Sequence, residues 1–162
     1  WTDLRGDFQR YAHGDHYDGA GPTLTVGMDW GRGGFAYGGF VGYGKQGNDW
    51  GGRRGGWDQA EASIGAYGGW TGPSGAWVNG QLGYTRIDFD ITRQVPLGPA
   101  LRTHTASTDG SNLTLALQGG WDFGEGAVRH GPVLGVVAQR IDVDGFAESD
   151  PALSTSLAYP DQ

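Results

Sequence analysis

The 162 residues suit one domain, and a formal charge of −7 argues against nucleic acid as the main partner. Glycine, at 33 residues, is about three times its ordinary share, yet there is no Gly-X-Y period and there are seven Trp and seven Tyr, which excludes both collagen and a disordered linker. Cysteine is absent, which suits passage through an oxidising periplasm, and no apolar run reaches the roughly 18 residues of a membrane-spanning helix. A β-barrel stays open, because only alternate residues of its strands meet lipid.

The first strand is expected at Thr2 to Tyr11. Asp3, Arg5, Asp7 and Gln9 form a polar side, and Leu4 and Phe8 stand opposite. His13 to Gly21 is rich in turn formers and reads as a loop. The second strand, Pro22 to Trp30, sets Leu24, Val26, Met28 and Trp30 against Thr23, Thr25, Gly27 and Asp29. Gly31 to Gly34 is a tight turn. In the third strand, Phe35 to Gln46, aromatics and glycines occupy both sides, so its sides stay unassigned. Gly47 to Trp57 reads as a polar loop.

The fourth strand, Asp58 to Thr71, sets Ala60, Ala62, Ile64, Ala66 and Trp70 against Gln59, Glu61, Ser63, Tyr67 and Thr71. Gly72 to Gly75 is a second tight turn. The fifth strand, Ala76 to Ile91, opposes Val78, Leu82 and Tyr84 to Asn79, Gln81 and Thr85. After Tyr84 its parity reverses, and Ile87, Phe89 and Ile91 become the apolar row. Either the strand enters a second environment or it contains a bulge. Thr92 to Gly110 reads as a long connection.

The sixth strand, Ser111 to Phe123, has the longest alternation. Leu113, Leu115, Leu117, Trp121 and Phe123 oppose Asn112, Thr114, Ala116, Gln118 and Asp122. Gly124 to Gly126 is a third tight turn. The seventh strand, Ala127 to Phe146, sets Pro132, Leu134, Val136 and Ala138 against Arg129, Val133, Val137 and Gln139, and its parity reverses near Ile141. Ala147 to Gln162 reads as loop. Connections thus alternate long and short. In outer-membrane barrels short turns face the periplasm and long loops face outward. The pattern therefore predicts an all-β antiparallel transmembrane barrel whose first strand runs outward.

Asp3, Arg5, Asp7, Gln9, Gln59, Glu61, Asn79, Gln81, Asn112, Gln118, Arg129 and Gln139 would line its lumen. They would either satisfy one another or contact a threaded segment. Trp30, Trp70, Tyr84, Trp121 and Phe123 fit interfacial girdles. His13, Asp15, His16 and Asp18 have ligand-type side chains, but polar residues are ordinary in an outward loop, and no metal or other cofactor is expected. His104 and His130 are isolated in sequence, so no triad is expected. Gly31 to Gly39 has no following helix to hold a pyrophosphate. Asn112-Leu113-Thr114 matches a glycosylation sequon inside a strand and is discounted.

The stretch from Trp1 to Trp30 resembles the β-domain of bacterial autotransporters (type V secretion). So do the segments FVGYGKQ, WVNGQLGYTRIDFD and RHGPVLGVVAQRIDVDGFAES. The resemblance is nearest to the translocator barrel of GDSL-type esterase autotransporters. It implies a twelve-stranded barrel in a Gram-negative outer membrane, which anchors and helps export an N-terminal passenger through a linker helix in its lumen. Its implied partners are outer-membrane lipid, the passenger and linker, the barrel-assembly machinery and periplasmic chaperones. About seven strands are present, and both ends read as cut, so residues 1–162 are expected to be part of a barrel whose free edges pair elsewhere. No Gly-Asp-Ser-Leu motif occurs, so esterase activity would belong to a passenger. Two alternatives stand: a passenger-free pore or adhesin-like barrel, and a soluble carbohydrate-binding β-domain.

Overall fold

The computed structural model describes residues 1–11, 16–52, 54–124 and 128–162. Seven strands form one sheet in chain order. They are β1 (Thr2–Tyr11), β2 (Tyr17–Arg32), β3 (Phe35–Trp50), β4 (Gly55–Thr71), β5 (Ala76–Leu97), β6 (Ala100–Trp121) and β7 (Val133–Val143). Every neighbouring pair is antiparallel, so β1 and β7 are the two edges. Two short strands, β8 (Phe146–Ala147) and β9 (Ala158–Tyr159), pair with each other.

One end of the sheet turns as its glycines dictate. Gly33 and Gly34 have φ of 61° and 84°, the left-handed pair that a two-residue hairpin between twisted strands requires. The Gly124 to Gly126 turn lies largely outside the described residues.

The other end departs from expectation. Three stretches expected as connections are continuations of strands: β2 starts at Tyr17, β3 reaches Trp50, and β5 and β6 run through most of Thr92 to Gly110 to meet at Gly98-Pro99. Prolines masked this continuity, yet both lie where a missing N–H is harmless. Pro96 follows the last β4 pairing, Gly55 with Arg93, so that flank of β5 has no β4 partner. At Gly21-Pro22 the β2–β3 ladder skips and resumes at Thr23.

The parity reversals now have a cause. The β5–β6 register runs unbroken from Ala76 opposite Trp121 to Leu97 opposite Ala100, so there is no bulge. The environment changes instead. Each of these strands has 22 residues, about 75 Å at roughly 3.4 Å per residue, far more than the ~25 Å apolar band of an outer-membrane barrel. Beyond Tyr84, one face becomes water-facing with Arg86, Asp88 and Asp90. The other carries Ile87, Phe89 and Ile91 and is covered by the chain after β7.

That covering segment is more than a loop. Asp144 N–H donates to Asp109 O and Ser149 N–H to Thr105 O, extending the β6 edge past the end of β7. Its contacts create the only buried apolar side chain among the described residues, Ala106. The rest of the sheet is one layer with no core of its own.

Candidate functional site

Opposite residues in an antiparallel pair share a face, so the register assigns every side chain. Leu4 pairs with Leu24, Val26 with Val41, Val41 with Ile64, Ala66 with Leu82, Leu82 with Leu115, and Leu115 with Ala138. One apolar face therefore crosses all seven strands. It settles the third strand: Phe35, Tyr37, Val41 and Tyr43 join this face, while Phe40 stands among glycines on the other. These side chains are open to their surroundings, with Leu4 74 %, Met28 63 % and Ile64 60 % exposed. A soluble monomer seldom exposes an apolar area of this extent, which counts against the soluble β-domain.

The opposite face is small and polar. It brings together most of the residues expected to line a lumen. Asn79 is opposite Gln118, Gln81 opposite Ala116, and Gln59 opposite Gln46. Arg5 is opposite Thr23 and Asp7 opposite Gly21, with Arg5 3.9 Å from Asp3. Glu61 leans over Gly44, where an added Cβ would lie 2.8 Å from its Oε1. Gln139 Nε2 donates to Thr114 Oγ1 at 3.2 Å. Arg129 is not drawn in: it precedes β7, outside the named strands, and is exposed.

Sequence reasoning missed one cluster on this face. The Trp1 indole N–H donates to Asp29 Oδ1 at 2.6 Å and to the Tyr67 oxygen at 2.9 Å, and the Tyr67 hydroxyl donates to Asp29. Phe40 stacks on Tyr67 at 6.5 Å. Asp29 and Tyr67 were both legible as polar-side residues, but only the register shows that they meet.

The expected girdle aromatics divide between two levels. Trp30 stacks with Tyr37 at 6.0 Å and Trp121 with Phe123 at 6.3 Å, and Phe35 meets Trp70 in a tilted pair at 6.3 Å, all at the tight-turn end. Tyr84 stands at the other limit of the apolar face, as does Tyr43.

The autotransporter beta-domain family model matches residues 1–162. The chain belongs to the autotransporter β-domain family. Its fold is an antiparallel transmembrane β-barrel, represented by seven consecutive strands. This β-domain is similar to the translocator domain of the autotransporter NalP from Neisseria meningitidis, with a TM-score of 0.79 and 17 % identity over 99 % of this chain and 55 % of that one. It also resembles the beta domain of the Bordetella autotransporter BrkA, with a TM-score of 0.42 and 14 % identity over 91 % of this chain and 84 % of that one. A lipase, Lipase 1 of Photorhabdus luminescens, is 32 % identical over 99 residues, 60 % of this chain and 15 % of the lipase. The β-domain thus spans about half of the solved translocator and a small part of the lipase.

At the long-strand end of the β-domain, the covering segment is held by buried polar contacts. His104 is fully buried. Its Nδ1 lies 3.1 Å from the Ser149 carbonyl, which can only accept, so Nδ1 donates to it, and Nε2 lies 2.9 Å from Thr155 Oγ1. Arg93 Nε donates to Glu148 Oε1 at 2.6 Å, a second nitrogen pairs with the other carboxylate oxygen, and the same guanidinium reaches Thr155 O at 2.7 Å. Glu148 also accepts from Leu157 N–H at 2.9 Å. The Arg93 hydrogen bonds hold the Glu148 carboxyl below the usual carboxylate range, against burial that pushes it up, with the Leu157 bond helping. Among the described residues no buried side-chain nitrogen or oxygen lacks a hydrogen-bond partner.

His13 and Asp15 lie outside the described residues. His130 bridges to Phe123. Among the described residues no His, Cys, Asp and Glu group suited to a metal ion occurs.

Proposed function

We propose that this β-domain is an outer-membrane translocator barrel of a Gram-negative bacterium, which anchors a passenger and helps to export it to the cell surface. The observation that carries this reading is the apolar face continuous over all seven strands, set against a small polar face. Lipid covers the first; the second lines the lumen. The tight turns at Gly33-Gly34 and Gly72 to Gly75 face the periplasm, and the long hairpins stand outside the cell.

In this reading Arg5, Asp7, Gln59, Glu61, Asn79, Gln81 and Gln118 contact the linker that joins barrel to passenger. Their paired amides and carboxylates offer donors and acceptors to a helix surface without a greasy grip that would arrest it. Trp30, Trp70, Trp121 and Phe123 anchor the periplasmic interface and Tyr84 the outer one. The likeness to a lipase supports an ester-hydrolysing passenger. Periplasmic chaperones and the barrel-assembly machinery would deliver the chain, because its apolar face cannot remain in water.

The experiment expresses the full-length parent protein with an epitope at its passenger. The account predicts outer-membrane fractionation, heat-modifiable mobility of the barrel, and protease release of the epitope from intact cells. Fractionation with the soluble proteins would contradict it. A parent protein with no passenger would favour the pore or adhesin-like reading.

A further inference from the structure

We infer that Arg10, Lys45, Arg86 and Arg140 form one phosphate-binding level for anionic lipid headgroups of the outer leaflet. This inference rests on the membrane reading above.

The four cations follow a pattern. Each lies on an outward-running strand, β1, β3, β5 or β7, and each comes two residues after a member of the apolar face: Phe8, Tyr43, Tyr84 and Ala138. They therefore share that face. All four are exposed, the side chains of Arg10, Arg86 and Arg140 by 83 %, 60 % and 77 %.

Their height follows from the register. Arg140 is opposite Leu113, and the same row passes through Tyr84, Ile64, Val41, Val26 and Thr2. Counted in same-face steps outward from that row, Arg86 is one step up, Lys45 two and Arg10 four. A horizontal line around a tilted barrel must climb the register in this way. At a tilt of about 40° and a strand spacing of about 4.8 Å, it climbs about 8 Å of strand for every two strands, close to the ~6.8 Å of one same-face step. The four cations thus stand at one level.

The opposite limit of the apolar face gives the same slope independently. Trp30, Trp70 and Trp121 lie two, three and four steps below that row on β2, β4 and β6. The two lines run parallel. On β3 they are separated by the stretch from Phe35 to Lys45, about 34 Å of strand or about 26 Å along the membrane normal, the height of an outer-membrane apolar band. The cations therefore stand at the headgroup boundary, with their stems over lipid.

The charges beyond select the level. Asp18, Asp49, Asp58, Asp88, Asp90 and Asp109 stand on the same face farther out. Three of the cations have an acidic neighbour: Arg10 is 3.4 Å from Asp18, Arg86 2.9 Å from Asp109, and Arg140 3.0 Å from Asp142. Lys45 makes no ion pair among the described residues. A headgroup phosphate is attracted at the cation level and repelled above it. Cations at a membrane surface attract anionic lipid in this way.

The test inserts the full-length parent protein into phosphatidylcholine vesicles with and without diphosphorylated lipid A, and reads the thermal unfolding midpoint by heat-modifiable mobility. The expected result is a midpoint several degrees higher with lipid A, reduced by salt. The shift falls by at least half in R10Q/K45Q/R86Q/R140Q, falls measurably in K45Q alone, and is unchanged in R32Q, which lies at the turn end. Inorganic phosphate gives no shift. An undiminished shift in both Lys45 variants, an equal shift with inorganic phosphate, or no shift at all would overturn the inference. Insertion into phosphatidylcholine alone tests the membrane reading separately, so the two can fail independently.

Discussion

Leu115 and Gln118 illustrate how much a single residue's side of the sheet decides. Leu115 stands between Leu82 and Ala138 on the apolar face, and Gln118 between Asn79 and Gly135 on the polar one. Arginine on a lipid-facing strand near mid-bilayer costs about 2–4 kcal/mol. Leu115→Arg is expected to lose that amount in a urea titration of the vesicle-inserted parent protein, with Gln118→Arg much milder. Equal losses would refute the face assignment. Glycine at Gly65 is required by space: a Cβ there would meet the Phe40 ring and lie 2.8 Å from the Leu82 carbonyl. Gly65→Val should therefore destabilise by about 1–3 kcal/mol in the same titration, by overpacking. Which residues face which way was legible from parity in six strands. The sides of β3 were not, because glycine and aromatics alternate with no polar partner to mark the lumen. The cation level was also readable, as the recurring triplets Phe8-Gln9-Arg10, Tyr43-Gly44-Lys45, Tyr84-Thr85-Arg86 and Ala138-Gln139-Arg140, but only the register puts them at one height.

Among the elements, the β5–β6 hairpin is where sequence and structure part most. Turn formers and prolines between Thr92 and Gly110 read as a connection, whereas pairing with a neighbour strand overrides that local signal. The cover over the hairpin was invisible in sequence, because it depends on Arg93 and Glu148 meeting across 55 residues of chain. Glu148 gives this cover a defined pH response. Its carboxyl is held below the ordinary range by Arg93. Its stabilising contribution is therefore present above the ordinary carboxylate range and is lost as pH falls through the lowered folded-state value. Hydrogen exchange at Glu148 and Ser149, taken relative to the intrinsic amide rate at each pH, is expected to stay slow near neutrality and quicken in acid. Glu148→Gln should quicken it at neutral pH, by about 3 kcal/mol for a broken buried pair. Exchange that ignores both pH and this substitution would contradict the assigned role.

On the scale of the whole molecule, a single-layer sheet replaces a core with two environments. Its stability comes from lipid on one face and backbone pairing within the sheet. Those demands leave β1 and β7 as edges, and an unpaired backbone group in the hydrocarbon region costs several kcal/mol. In the inserted parent protein, the β7 amides that do not bond to β6 are therefore expected to be as protected from exchange as those that do, because further strands pair with them. Rapid exchange at alternate β7 amides would show an open edge. The central claim is that one face of this sheet meets lipid and the other lines an aqueous lumen. These 162 residues contain no cysteine, so single cysteines can be introduced and spin-labelled one at a time from Asn112 to Trp121 in the inserted parent protein, with any cysteine elsewhere in it replaced by serine. The account predicts oxygen accessibility that peaks at Leu113, Leu115, Leu117 and Gly119, and accessibility to a water-soluble reagent that peaks at Asn112, Thr114, Ala116 and Gln118. Accessibility without this two-residue period, or with the two sets exchanged, would contradict it.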